Sequence, residues 1–378
     1  MEPRRYSGNS HWYHETQSSA RAGQTPPLYP EAADVEDRFL LGLQQDKSSL
    51  TPLFSEFRPA LRAGVALSQQ LLPSDVTPTL IHTLTLYDRL AVALTVAQVT
   101  GIQRLCNHYA ARLNPLPGPD SSRESNNRLT QLTQYARQLA SDPAVIDAAA
   151  LQRLDEVGLT TPDIITLSQL VGFVSYQARV VAGLQALLGM PVRWLPGLNE
   201  RVDAEPHCFT AAATQRFRLP PLERRYASEQ QLAAIADAQA LPDLTPIVWL
   251  LAWDEQVLRA RTTLQRSLPA ITAEERLAQT VSARINGSAL CFRTGESRDC
   301  QALLPGIDAA LTACRQAPLQ HAVIQFAAQL TRAPDRLSAA QLQPLLAEGL
   351  SHQQLFCLIQ HVALANWNNR LHQTLGDG

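Results

Sequence analysis

Residues 135–179, YARQLASDPAVIDAAALQRLDEVGLTTPDIITLSQLVGFVSYQAR, align without a gap to residues 326–370, FAAQLTRAPDRLSAAQLQPLLAEGLSHQQLFCLIQHVALANWNNR, at a constant offset of 191. Fifteen of the forty-five positions are identical, and others match in kind, Ser175 with Asn366 and Tyr176 with Trp367. Self-similarity over this length predicts two copies of one structural unit, each burying the apolar face of the other. Upstream, Asp88-Arg89-Leu90-Ala91 echoes Glu275-Arg276-Leu277-Ala278 and Gly101 echoes Gly287, at offsets of 187 and 186. The expected division is a polar, loosely ordered tail over 1–33, a first repeat over 34–199, a linker over 200–227 and a second repeat over 228–378.

The repeated unit reads as helical. Apolar residues recur at three- and four-residue spacing over Asp34–Gln45, Leu86–Leu113, Leu129–Leu139, Pro162–Leu188, Glu229–Ala240, Ile247–Leu264, Ala273–Ile285 and Gln353–Leu375. Thr160-Thr161-Pro162-Asp163 places a cap and an early proline at a helix start, and Thr272-Ala273-Glu274-Glu275 is a capping-box pattern. No set of alternating strands is found, so the expected class is all-α, a tandem duplication of one helical repeat.

Composition narrows the function. Hydrophobic residues make up 45% and charged residues 17%, enough apolar material for a sizeable core. The net charge of −2 supplies no field to hold a phosphate backbone, so nucleic acid is not an expected partner. The six cysteines are dispersed with no CxxC, which suits reduced thiols in a cytoplasm. The first residues, MEPRRYSGNSHWYHETQSS, have no apolar core like that of a signal peptide. Asp88 and Arg89 interrupt one long apolar stretch and Arg179 another, so a membrane span is not expected.

The segments ERLAQTVSARINGSALC and DRLAVALTVAQVTGIQRLCNHYAARL resemble the core of the carboxymuconolactone decarboxylase superfamily, which includes the AhpD-like alkyl hydroperoxidases. The long segment LTTPDIITLSQLVGFVSYQARVVAGLQALLG is similar to the helix that follows it in the two-repeat, peroxidase-related branch. The resemblance covers most of residues 40–190 and 228–376 and implies an all-helical fold, a homo-oligomer and thiol-dependent peroxide reduction. The family's peroxidase site is a glutamate on one helix, a CxxC opening the next and a histidine one turn later. Free N–H groups at a helix start favour thiolate, and cysteines at i and i+3 share a face.

This sequence departs from that pattern. Ser288 holds the first cysteine's place, Cys291 the second's and Gly295 the histidine's; Arg276 falls where the glutamate is expected, with Glu275 beside it. In the first repeat those places fall on Ile102, Leu105 and Tyr109, with Cys106 and His108 one residue away, Leu90 at the glutamate's place and Asp88 nearby. Neither repeat can form the internal disulfide. The candidate catalytic residues are therefore Cys291, Ser288, Glu275, Cys106 and His108. Carried over from the resemblance, Cys291 is the peroxidatic thiol, with an external thiol as reductant. If one helix carried both Cys291 and Cys300, about 13.5 Å of rise would separate them and Cys300 could not resolve Cys291. Arg179 and Arg370, matched on two buried helices, call for partners, with Glu275 or Asp88 as the expected carboxylates.

No cofactor and no metal is expected. His11 and His14, with Glu15, have helical spacing, but two ligands in a polar tail are a weak metal signal. Two functional classes follow: a peroxidase-related oxidoreductase working through Cys291, or a non-catalytic helical protein whose old site has decayed and whose fold serves binding or assembly. A cofactor-free lactone decarboxylase needs acid–base groups where this chain has Gly295 and Tyr109.

Overall fold

The structure is a computed structural model that describes residues 37–44, 50–192, 201–209 and 217–376. Among the described residues every regular element is a helix, α or 3-10, and the fold class is all-α. The His11, His14 and Glu15 group lies outside the described residues, as do parts of the expected linker.

Ten helices carry the matched segments. In the amino-terminal half they are α1 (Leu86–Thr100), α2 (Gln103–Leu113), α3 (Arg123–Ser141), α4 (Ala148–Glu156) and α5 (Thr161–Leu187). In the carboxy-terminal half they are α6 (Ala273–Asn286), α7 (Ala289–Arg293), α8 (Pro318–Arg332), α9 (Ala339–Ala347) and α10 (His352–Leu375). The end of α3, both ends of α4 and the start of α5 recur 191 residues later in α8, α9 and α10.

Local chemistry sets these boundaries. Capping boxes start α1 at Thr85 and Asp88, α5 at Thr160 and Asp163, α6 at Thr272 and Glu275, and α10 at Ser351 and Gln354. Asp163 does more: its carboxylate also accepts from the Thr83 backbone N–H at 2.8 Å and the Thr83 hydroxyl at 2.7 Å, which fastens the approach to α1 onto α5.

The continuous helix expected over Leu86–Leu113 is broken. Gly101 takes left-handed angles (φ 72°, ψ 10°) and ends α1, then Ile102 is extended and α2 begins. A left-handed residue stops the helical ladder, and glycine adopts it without strain. Two other expectations are corrected. The stretch Ile247–Leu264 is interrupted by a 3-10 turn over Ala252–Asp254, so its main helix is Glu255–Arg266. The described part of Asp34–Gln45 forms turns, with Leu41 and Gly42 at positive φ.

The core sits where α5 and α10 cross, the most extensive helix–helix packing in the protein. Helix α5 is long and apolar enough to cross a membrane, but its most apolar stretch is wholly buried inside the protein, the place of a core helix. Contacts at the crossing are reciprocal. Tyr176 donates its hydroxyl to Gln360 at 2.6 Å, and Trp367 donates its indole N–H to Gln169 at 3.1 Å. Arg179 donates to the carbonyls of Ser175 and Thr331, both at 2.8 Å. Arg370 donates to the carbonyls of Asn366 and Ala140, both at 2.7 Å. Each of these contacts has its counterpart 191 residues away. The partners of the two arginines are thus backbone carbonyls and, for Arg370, the Asn366 side-chain oxygen at 3.2 Å; neither Glu275 nor Asp88 pairs with them.

Candidate functional site

Helix α6 ends at Gly287 (φ 76°, ψ 12°) and α7 follows an extended Ser288 (φ −81°, ψ 96°). The corner between α1 and α2 has nearly the same geometry, with Ile102 at φ −82° and ψ 97°. Backbone at Ala204 packs on the carboxy-terminal corner: its N–H donates to the Ile285 carbonyl at 3.0 Å, and Arg284 donates back to the Ala204 carbonyl at 2.6 Å. Ser288 is fully buried at this corner, while Cys291, in the middle of the five-residue α7, is half-buried. The buried Arg261 guanidinium lies within electrostatic reach of Cys291.

After α7 the chain reverses. Cys300 lies on a separate helix, Ser297–Leu303, and its thiol reaches back to the Phe292 carbonyl at 3.1 Å. The single-helix separation expected between Cys291 and Cys300 therefore does not apply. Burial, and then the charge of Asp299, push the Cys300 thiol up. The turn between the helices fits tightly: a Cβ at Gly295 would overlap the Thr280 hydroxyl and stand 3.1 Å from Cys300 Sγ. The space a side chain at position 295 would take is filled by Thr280.

Glu275 faces a different neighbourhood. Its carboxylate accepts from the Thr272 backbone N–H at 2.9 Å, as the capping box requires. The Cys357 thiol lies within 4.8 Å of it, and His361 Nε2 stands 3.5 Å from its Oε2. Neither Ser288 nor Cys291 is among its polar partners. Glu275, Cys357 and His361 are all buried, and one ligand atom from each lies within 4.8 Å of the others. Burial, then Glu275 and the nearby carboxylate charges, push the Cys357 thiol well up. Burial pulls His361 down, with Glu275 and Asp243 opposing it.

The amino-terminal corner buries its apolar residues, while Cys106 is half-buried, as Cys291 is. Ile102, Leu105 and Tyr109 are buried, and the Tyr109 hydroxyl donates to Gln177. Burial pushes the Cys106 thiol up to about 12, so it is not a thiolate at neutral pH. His108 is buried with its ring edge-on to Tyr109 at 5.2 Å, and no polar contact joins it to Cys106. Asp88 serves its capping box and stands 3.6 Å from Arg128.

The structure thus separates the five residues proposed from sequence into three places: Ser288 with Cys291 at one corner, Cys106 and His108 at the other, and Glu275 beside Cys357 and His361. Sequence reasoning missed the last grouping. Cys357 and His361 are four residues apart on α10 and share a face, which was a usable signal. The approach of Glu275 from α6 was not. No family model matches this chain, and no curated protein matches it.

Proposed function

We propose that the chain is a two-repeat, AhpD-like, peroxidase-related oxidoreductase whose thiol chemistry has contracted to Cys291. In this reading the halves descend from one unit, and the amino-terminal half serves as packing partner to the other. The observation that carries it is the contrast between two alike corners. One holds Cys106, half-buried as Cys291 is, with its thiol pushed up to about 12 by burial. The other holds Cys291 half-buried within electrostatic reach of the Arg261 guanidinium, and a cation in reach favours thiolate.

The chemistry would run in two stages. The Cys291 thiolate attacks the distal peroxide oxygen, the O–O bond breaks, and an alkoxide or hydroxide leaves and takes a proton. The sulfenic acid then condenses with an external thiol to a mixed disulfide and water, and a second thiol releases Cys291 as the reduced thiol.

A second reading, a non-catalytic scaffold for binding or assembly, is favoured by the overlap of the histidine place with Thr280 and by Glu275 facing Cys357. Labelling with dimedone under peroxide separates the two. The oxidoreductase reading expects Cys291 to form a trapped sulfenic acid several-fold faster than the other five cysteines, and Cys291→Ser to abolish peroxide consumption. Equal, slow labelling of all six supports the scaffold.

A further inference from the structure

Helix α10 presents Cys357 and His361 on one face, and the first turn of α6 brings Glu275 against them. The three residues are 5%, 7% and 5% exposed for Cys357, His361 and Glu275. A thiol, an imidazole and a carboxylate gathered within 4.8 Å in a buried place form the donor set of a small, borderline-soft divalent cation. In a tetrahedral site, ligands about 2.0–2.3 Å from the metal stand roughly 3.3–3.8 Å apart. The observed separation of 3.5 Å between His361 Nε2 and Glu275 Oε2 already falls in that range.

Two further features point to a ligand. His361 Nε2 is buried and has no hydrogen-bond partner, although it is aimed at the carboxylate and thiol. A buried imidazole nitrogen is seldom left this way without a purpose. On the other side of the ring, the Gln279 amide lies 3.3 Å from Nδ1. Turning that amide by half a rotation presents its carbonyl to an Nδ1–H, which fixes the tautomer that leaves Nε2 free to ligate. Charge closes as well. One divalent cation held by a carboxylate, a thiolate and a neutral imidazole leaves no net charge in a buried place.

We propose that Glu275, Cys357 and His361 bind one Zn²⁺ ion, with a water in the fourth position. Binding forms Zn–S, Zn–N and Zn–O bonds and releases the thiol proton of Cys357 to solvent. The ion ties the start of α6 to the middle of α10. The proposal does not depend on the peroxidase reading, because Cys291 takes no part in it.

The full-length protein, stripped with a chelator, is titrated with Co²⁺ as an optical probe. The expected result is one saturating equivalent, a thiolate-to-cobalt charge-transfer band and the intense visible bands of a four-coordinate site, all displaced by Zn²⁺. Cys357→Ala should lose the charge-transfer band, and His361→Gln should weaken binding at least about tenfold. Zn²⁺ should raise the Tm of the wild type and leave that of Cys357→Ala unmoved. If Cys357→Ala does not fold, the His361→Gln and Glu275→Gln titrations decide in its place. Absence of saturable binding, or a charge-transfer band that survives in the substituted proteins, overturns the proposal.

Discussion

Gly172→Ala is expected to destabilise the protein by about 3 kcal/mol or more, near or above the top of the usual overpacking range. Adding a methyl to a helical glycine ordinarily gains up to about 1 kcal/mol in helix propensity. Here the gain is overwhelmed. A Cβ at Gly172 would overlap Trp367 Cδ1 and Nε1 and stand 3.0 Å from Cγ. The indole cannot swing aside: its N–H is bonded to Gln169, the Arg261 guanidinium lies 4.1 Å from the ring centroid, and Phe173 and Tyr176 flank it at 5.8 Å. Gly183, three turns along the same face of α5, meets the aliphatic Ile359 at 2.6 Å, and a side chain with rotatable bonds yields more readily. Gly172→Ala should therefore cost more than Gly183→Ala in a denaturant titration, and a reversed order would contradict this account of the crossing.

The same offset supplies a rescue. The residues matching Gly172 and Trp367 are Ala363 and Tyr176. Where one half sets the larger ring against no side chain at all, the other has a smaller ring and a methyl. Gly172→Ala combined with Trp367→Tyr recreates the second pairing at the first position, and a tyrosine hydroxyl there can donate to Gln169 as Tyr176 does to Gln360. The double variant is expected to be more stable than Gly172→Ala alone, a coupling that a thermodynamic cycle reads directly.

How far the sequence carried the fold follows from which forces are local. Helical periodicity and capping boxes are written within a few residues of one another, so the class, the starts of α5 and α6 and the matched segments were legible. The offset of 191 predicted two alike units; the end of α3, both ends of α4 and the start of α5 recur at that spacing. The partners of Arg179 and Arg370 were misread because a composition argument looks for a carboxylate, and a helix crossing offers carbonyls that no residue type announces. The break at Gly101 was visible as a glycine matched to Gly287, yet the apolar pattern runs through it and concealed the corner. At the candidate sites the resemblance directed attention to the neighbours of an absent CxxC. It grouped Glu275 with Cys291, whereas packing turns that carboxylate toward α10. The metal-like spacing of His11 and His14 drew notice in the tail, while Cys357 and His361, four residues apart, were not singled out.

Alkaline pH is expected to unfold the protein well before ordinary surface charge would. Tyr109, Tyr135 and Tyr176 are buried, and burial raises each hydroxyl above its usual value of 10.0, Tyr135 to about 12 and the other two further. The hydrogen bonds of Tyr135 and Tyr176 to Ser168 and Gln360 moderate but do not cancel the rise. Below pH 10 both folded and unfolded chains keep these protons, and stability is unaffected. Above it the unfolded chain releases them while the folded one does not, so the folded state holds more protons and its stability falls with rising pH. Each tyrosine contributes a slope of about −1.4 kcal/mol per pH unit, so three together remove about 4 kcal/mol by pH 11. Cys106, raised to about 12, begins the same loss a unit earlier, from the usual thiol value of 9.0. Burial shifts the guanidiniums of Arg179 and Arg370 the opposite way, but arginine keeps its proton in folded proteins and adds no compensating gain in this range. Denaturant midpoints measured from pH 8 to 11 should fall steeply above pH 9. Tyr176→Phe, which lacks one of the ionising groups, should lose stability less steeply than the wild type above pH 10, whatever its stability at pH 8. Parallel curves for the two proteins would mean that the Tyr176 hydroxyl ionises as freely in the fold as out of it, and that the crossing of α5 and α10 is open to water.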